Sequence, residues 1–523
     1  MWEPVGIARA ERSTHSPPAP FALVSVPTQV LMSLSFHGDG MTNHDAATLL
    51  AHHAVDTRET ELPEEVRSQL RRHLLDFLGV SLGARVHADS TPAFEEAISI
   101  LAGSGSDRAS GGESGRDGEA TLLTDGSRGP VEHAALVNGA LAHSLDFDDT
   151  HRASSLHPGA PVIPAAFAIA ERESASTREL LRAISAGYDV ACTVGEAINP
   201  GSHYDRGFHV TATCSTFGAT AAAGLLAGLG SKEIESAFGV NASQAAGTLG
   251  FLENGAWNKR LHPGLAARRA VLACALAESG FRGAARSFEG EHGFLQGYSD
   301  DPDPSKFEAI GEPPAVTETA LKPYPCCRYM HPALDGRREV GTEVDPTDVD
   351  SITVSLPKPG VTLTGDPIAR KRRPENFIDC QFSMPFGAAL ALTEGAADLP
   401  AFLAAQDRLD DPGLRELMDA TEVVTTEEIA EYFPEQWAAR VVVETRDEGS
   451  QDHDRLVETA RGEPEKPLGW EGVVEKFETI VSSAGVSTAE ADGIVEAVND
   501  LESNGVRDLT DAIEHALAPT VRG

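Results

Sequence analysis

The stretch "LPEEVRSQLRRHLLDFLGVSLGA", residues 62–84, sets the fold class. Val66, Leu70, Leu74, Phe77, Leu78 and Leu82 recur at helical spacing, Glu64 and Glu65 fall in the first turn, and Gly83 stands near the end. The spacing predicts an amphipathic helix. Working outward, helical patterning begins at "NHDAATLLAHHAV" (43–55) and resumes from Val131 to about Tyr298, through "VIPAAFAIAERE", "TRELLRAISAGYDVACTVGEAI", "STFGATAAAGLLAGLG" and "LAARRAVLACALAESG". Alanine and glycine dominate these segments, and small side chains let helix axes approach closely, so a tightly packed helical body is expected.

The composition changes after the acidic, proline-containing "SDDPDPSKFEAIGEPP" (299–314). "VDSITVSLP" (349–357) and "AARVVVETRD" (438–447) are rich in valine and threonine and predict strands. Between them "FSMPFGAALALTEG" and "DPGLRELMDATEVV" read as helices, and from "PLGWEGVVEKFETIVSSAG" (467–485) onward the pattern is helical again. The expected architecture is therefore mainly α: a large all-helical domain built from both chain ends, plus a smaller α+β lid domain. Residues 1–43 read as a disordered lead or an over-extended gene start, 44–305 as the helical domain, 306–455 as the lid, and 456–523 as C-terminal helices returning to the helical domain. "GSGSDRASGGESGRDG" (103–118) is low-complexity and reads as a flexible insert.

Composition excludes several function classes. With 80 acidic against 42 basic residues, the formal charge of the 523-residue chain is −38, which repels nucleic-acid phosphates and anionic membranes. Only eight of the basic residues are lysine, at 232, 259, 306, 322, 358, 371, 466 and 476. An acidic, lysine-poor surface suits a halophilic host, where concentrated salt screens the self-repulsion; an acidic mesophile is the alternative. No apolar run approaches the ~20 residues of a membrane span. The six cysteines follow no CxxC or iron–sulfur spacing and read as reduced and cytoplasmic, which disfavours an iron–sulfur hydratase.

Three histidines and three aspartates crowd into "HSLDFDDTHRASSLHPG", residues 143–159. Clustered carboxylates raise one another's pKa, and imidazole exchanges protons near neutral pH, so His143, His151 and His157 beside Asp146, Asp148 and Asp149 suggest an acid/base site. If "DFDDT" is helical, Asp146 and Thr150 share a face. A metal site would use the same residue types, but HExxH and similar spacings are absent from the sequence, so acid/base chemistry is preferred and no metal is assigned. Cations gather in "WNKRLHPGLAARR" (Lys259, Arg260, His262, Arg268, Arg269) and "LKPYPCCRYMHP" (Lys322, Arg328, His331), where they would recruit a small di- or tricarboxylate. "KRR" at 371–373, beside no histidine, reads as a cluster that neutralises acidic surface. His209 in "YDRGFHVTATCSTFGATAAAG" taken alone reads as a core or capping histidine.

These segments, in this order, resemble the MmgE/PrpD family, which includes 2-methylcitrate dehydratase and cis-aconitate decarboxylase. The matching stretches are "NGALAHSLDFDDT", "LHPGAPVIPAAFAIAE", "GFHVTATCSTFGATAAAGLL", "NKRLHPGLAARRAVLACALAESGFRG" with "FEGEHGFLQGY", "KPYPCCRYMHPALDG" and "FSMPFGAALAL". The resemblance implies a homodimer working without metal or organic cofactor in a pocket between two domains. It assigns Asp146, Thr150, His157, His209 and Lys322 to catalysis, and Lys259, with Arg260 and His262 beside it, to substrate binding. It also brings two departures to the pocket wall: Phe386 where the family has tyrosine, and Cys327 where the decarboxylase pattern has histidine. The reaction expected is dehydration of a 2-methylcitrate-like tricarboxylate, with one of His157 and His209 removing a proton and the other, assisted by Asp146 and Thr150, protonating the leaving hydroxyl. Decarboxylation of cis-aconitate, epimerisation of a dicarboxylate and a non-catalytic carboxylate-binding role are the alternatives.

Overall fold

A computed structural model describes residues 45–101, 119–341, 344–395, 397–446, 453–501 and 505–518. The expected lead at 1–43 and the insert at 103–118 lie outside the described residues. Helix dominates, as patterning predicts, and six of the helices up to residue 278 build the body around the site: α1 (Glu64–His87), α2 (Val131–Ser144), α3 (Gly159–Glu173), α4 (Thr177–Ala197), α5 (Ser215–Leu226) and α6 (Asn258–Glu278). Local chemistry explains their bounds. α1 carries Glu64 and Glu65 in its first turn and Arg85 and His87 in its last, complementing the helix dipole at both ends. Ser176 and Glu179 close a reciprocal capping box on α4, and α3 stops at Ser174 in the left-handed conformation.

The helix α5 is buried on every side from Ser215 to Leu225 and forms the centre around which α3, α4 and α6 pack. Alanine and glycine do what their abundance implies. A Cβ built on Gly264 of α6 would collide with the Leu136 carbonyl oxygen of α2, and one on Gly139 would lie 2.9 Å from the Gly264 Cα. Only glycine at both positions lets α2 and α6 cross this closely, and the crossing sets the distance between the functional groups at their ends.

The second half holds one four-stranded sheet, β1 (Val349–Ser355), β2 (Thr421–Val424), β3 (Ala439–Thr445) and β4 (His453–Val457), in the order β2-β1-β3-β4. β1 and β2 are parallel and the other neighbours antiparallel. "TEVV", expected as the end of a helix, is instead β2: the helix stops at Asp419, and the β-branched residues that follow pair with Ile352–Ser355. Four further helices matter to the site: α7 (Ile368–Lys371), α8 (Phe377–Gln381), α9 (Met384–Thr393) and α10 (Trp470–Ser483). α10 lies along α1, with Phe477 and Ile480 seated against Gly79 and Gly83.

Candidate active site

The site begins where α2 ends. Leu145 caps the helix and Asp146 takes the left-handed conformation (φ 51°), so "DFDDT" turns rather than continuing as helix. Asp146 and Thr150 therefore do not share a helical face, contrary to expectation. Thr150 and His151 instead pair antiparallel with Ala320 and Thr319, and Thr150 Oγ1 is buried with no partner among the described residues. That short ladder has a consequence two residues on: it delivers Lys322 to Asp146.

Lys322 Nζ donates to the Asp146 carbonyl at 2.8 Å and lies 3.2 Å from its carboxylate Oδ1, while Lys259 Nζ, brought in by the first turn of α6, donates to the same Oδ1 at 2.8 Å. Burial alone would raise the Asp146 pKa, but the two ammonium groups outweigh it and hold the carboxyl well below the usual range. The same pairing works on Lys322: burial opposes its charge, yet Asp146 and Asp148 keep its pKa raised. Asp146 is thus a fixed anion between two fixed cations. A third lysine converges here from the far end of the chain. Lys476 on α10 pairs with Asp76 of α1 at 2.5 Å, donates to the Phe147 carbonyl at 2.9 Å, and stands 3.8 Å above the Phe147 ring. Three of the eight lysines therefore brace residues 146–147.

Imidazoles form the next layer. Asp148 is shared, with Oδ2 lying 2.7 Å from His143 Nδ1 and 3.2 Å from His157 Nδ1. The His143 ring meets His157 edge-on at 4.6 Å and stacks 6.0 Å from His209, whose Nδ1 lies 3.1 Å from His262 Nδ1. Burial lowers His143 to about 4, partly offset by Asp148, and lowers His262 to about 4. Burial, reinforced by the positive charge of neighbouring groups, takes His209 well below the ordinary histidine range. These three imidazoles are neutral at pH 7. Asp149 serves a different purpose, accepting from Tyr188 at 2.5 Å and from the Gly159 amide at 3.0 Å, which ties the His157–Gly159 turn to the body.

Part of this cluster borders a cavity of about 370 Å³. His143, Asp146, Lys259 and Arg260 line its inner end; Phe251 and Leu252 form one wall, and residues of α7 and α8, with Phe382, form the other. Of the residues expected in the site, His157, His209, His262 and Lys322 stand behind this lining. Cys327 is buried, with its amide bonded to the Gln381 carbonyl, and burial followed by the Asp146 charge pushes its thiol up. Phe386 is misplaced by the sequence reading. It lies on the buried side of α9 against Phe402, with ring centres 5.4 Å apart, and its amide donates to the Ser383 hydroxyl that caps that helix. The phenyl ring on the wall is Phe382, four residues earlier, 5.4 Å from Lys259 Nζ.

Other expected cations do not reach the cavity. Arg328 pairs with buried Glu463, His331 bonds the Cys326 carbonyl at 3.2 Å, Arg268 lies 3.4 Å from Glu132 and Arg269 donates to the Ala246 carbonyl at 3.0 Å. The reverse correction applies at "KRR". Arg373 does neutralise surface charge, at Asp419, but Lys371 and the preceding Arg370 line the outer cavity. Sequence reasoning counted His143 and Asp148 in the acid/base cluster without assigning either a role, and it missed Lys476. The rarity of lysine in so acidic a chain was the available signal for the last. His143, Asp148 and His157 also offer ligand atoms within 4.8 Å of one another, a donor set of the kind a divalent cation accepts.

The chain is 25% identical to a cis-aconitate decarboxylase-like protein of Aspergillus oryzae, over 87% of this chain and 94% of that one. It is 25% identical to the cis-aconitate decarboxylase of Aspergillus terreus, covering 83% and 89%, and 27% identical to that of Homo sapiens, covering 71% and 77%. Models of the MmgE/PrpD N-terminal and C-terminal domains match residues 48–306 and 324–501 in order, and the chain belongs to the MmgE/PrpD family.

Proposed function

We propose that the protein is a lyase acting on a tricarboxylate of the cis-aconitate type, by decarboxylation, without a required metal or organic cofactor. The observation that carries this reading is the Lys259–Asp146–Lys322 cluster, whose Asp146 and Lys259 line the same cavity as the imidazole of His143. The curated relatives, all named as decarboxylases of this kind or as similar to them, support it. Lys259 and Arg260 would hold the carboxylates that stay, lowering the energy of the carbanion. The bond to the departing carboxylate breaks and releases carbon dioxide, its electron pair forms a new double bond to the neighbouring carbon, the pair of the original double bond shifts to the far carbon, and an imidazolium proton is delivered there. One proton is consumed per turnover; a bound trianion favours its entry onto the histidines.

Dehydration of a 2-methylcitrate-like substrate is the second reading, favoured by the protonation state of the unliganded site. A neutral imidazole such as His143 has a lone pair free to take a proton alpha to a carboxylate, and a bound polyanion would offset the burial that lowers its pKa to about 4. Asp146, held as an anion, supplies no proton itself in that case but keeps Lys322 charged as a donor. Proton NMR in molar potassium chloride with a chelator present, with cis-aconitate, citrate and 2-methylcitrate offered in turn, tests both. Itaconate formed from cis-aconitate supports decarboxylation, and 2-methyl-cis-aconitate formed from 2-methylcitrate replaces it with dehydration. Thermal stabilisation by all three without turnover replaces both with a binding role.

The same reading takes the helical body and the 306–455 segment as body and lid, and the molecule as a cytoplasmic, salt-adapted homodimer. The buried, unpaired state of all six cysteines and the packing of α10 on α1 support the cytoplasmic and body assignments. Light scattering tests the dimer.

A further inference from the structure

The cavity is larger than the substrate class just proposed. A cis-aconitate skeleton has about twelve non-hydrogen atoms, whereas about 370 Å³ falls in the range of roughly 300–1,000 Å³ usual for drug-sized ligands. Its two ends also differ in chemistry. Asp146, Lys259, Arg260 and His143 close the inner end, whereas the outer part runs between Phe251 and Leu252 on one side and Leu363, Ile378 and Phe382 on the other.

Leu252 is 64% exposed and Leu363 38% exposed, both facing this space, an arrangement that leaves apolar surface in water unless a ligand covers it. The charges at the rim do not favour a second anionic group. Arg370 and Lys371 share this rim with the carboxylates Asp366 and Asp379, and Lys371 Nζ is already bonded to the Leu363 carbonyl at 2.5 Å.

We infer that the substrate carries a linear alkyl substituent of several carbons, its carboxylates held by Lys259 and Arg260 and its chain lying along Leu252, Leu363, Ile378 and Phe382. The inference rests on the carboxylate reading of the inner site. It differs from a methyl-substituted substrate in using the outer half of the cavity, and it assigns specificity to Leu252, Leu363, Ile378 of α8 and Phe382 just after it.

The test separates binding from turnover. Calorimetry in molar potassium chloride with unreactive 2-alkyl tricarballylates (methyl, propyl, pentyl, heptyl) is expected to show affinity rising about three- to fourfold per methylene until the chain leaves the cavity. In Leu252→Ser and Leu363→Ser, both at exposed positions, that slope flattens while affinity for the methyl member is retained to within a few fold. Affinity that is flat or falls with length in the wild-type protein overturns the inference. Turnover of the corresponding 2-alkyl-cis-aconitates then tells the two proposals apart. Rising affinity without conversion of any member removes the lyase reading and leaves the alkyl site, whereas conversion of cis-aconitate with loss of binding beyond methyl removes the alkyl site and leaves the lyase.

Discussion

Asp146 has two lysine partners, and they are not equivalent. Lys322 is 3% exposed at its side chain and satisfies both the carbonyl and the carboxylate of Asp146, whereas Lys259 is 24% exposed and faces the cavity. Lys322→Met leaves a buried anion short of a partner and is expected to destabilise the fold by about 3–5 kcal/mol, read by chemical denaturation. Lys259→Met should cost about 1 kcal/mol or less but lower turnover on the order of 10²-fold or more, because a carboxylate of the substrate loses its counter-charge. Equal effects of the two changes on stability and activity would contradict this division of labour. Asp148 is the second residue whose role geometry singles out. Asp148→Asn keeps its shape but loses the charge that orients His143 and His157, so turnover should drop by about 10²–10⁴-fold and its pH profile should shift. A lower rate with an unmoved profile would make Asp148 structural only.

The same histidines predict how stability follows pH. His143 and His262 sit near 4 in the folded protein against an ordinary 6.5. Their folded pKa values are depressed, so the unfolded chain binds protons that the folded chain refuses as pH falls below about 6.5, and stability falls with it. For one fully buried imidazole such as His143 the loss by pH 5 is about 2 kcal/mol. Urea midpoints measured at pH 7 and pH 5 check this, and an unchanged midpoint would place both imidazoles in contact with solvent or a counter-charge.

At the scale of elements, the site depends on one helix crossing. α2 ends at Ser144, two residues before Asp146, and α6 begins one residue before Lys259, so the Gly139–Gly264 contact fixes how far apart the two charges lie. Gly264→Ala puts a methyl group against the Leu136 carbonyl and is expected to cost about 1–3 kcal/mol and to reduce turnover although no functional group is removed. A variant of native stability and rate would show that the crossing has slack. This also explains what sequence could and could not convey. The helices were legible because α1, α4 and α5 carry their caps, dipole charges and apolar periodicity locally. The motif segments were legible too, since Asp146, His157, His209, Lys259 and Lys322 do converge. The departures arise where neighbours distant in sequence decide. "DFDDT" has helix-compatible spacing, yet its left-handed Asp146 is held by lysines 113 and 176 positions away. "FSMPF" offers two phenylalanines four apart, and only packing against segments distant in sequence distinguishes Phe382, which meets the cavity, from Phe386, which meets Phe402. "KRR" has no local mark that its first residue faces inward, and Asp76 and Lys476 form their pair across almost the whole chain.

For the whole molecule the governing quantity is charge. A net −38 on 523 residues means that, at low ionic strength, every exposed carboxylate is repelled by many others, while the local pairs at the surface recover little of that energy. Exposed pairs such as Arg440 with Asp454 at 2.6 Å or Arg507 with Asp511 at 3.0 Å are weakened by salt, so if they controlled stability, salt would lower it. The excess of 80 acidic over 42 basic residues argues that repulsion outweighs them. Screening shortens from roughly 10 Å at 0.1 M to about 3 Å at 1 M, a range over which most carboxylate pairs separated by more than one side chain cease to interact. The buried Asp146–Lys322 pair, shielded from solvent ions, should hardly change. Thermal unfolding in potassium chloride is therefore expected to rise by several degrees between 0.1 and 2 M, with the midpoint in an equal concentration of a larger, weakly hydrated salt rising in parallel at the low end. A midpoint that is flat or falls across that range would mean that the acidic surface is balanced locally, and the salt-adapted reading of the composition would be lost.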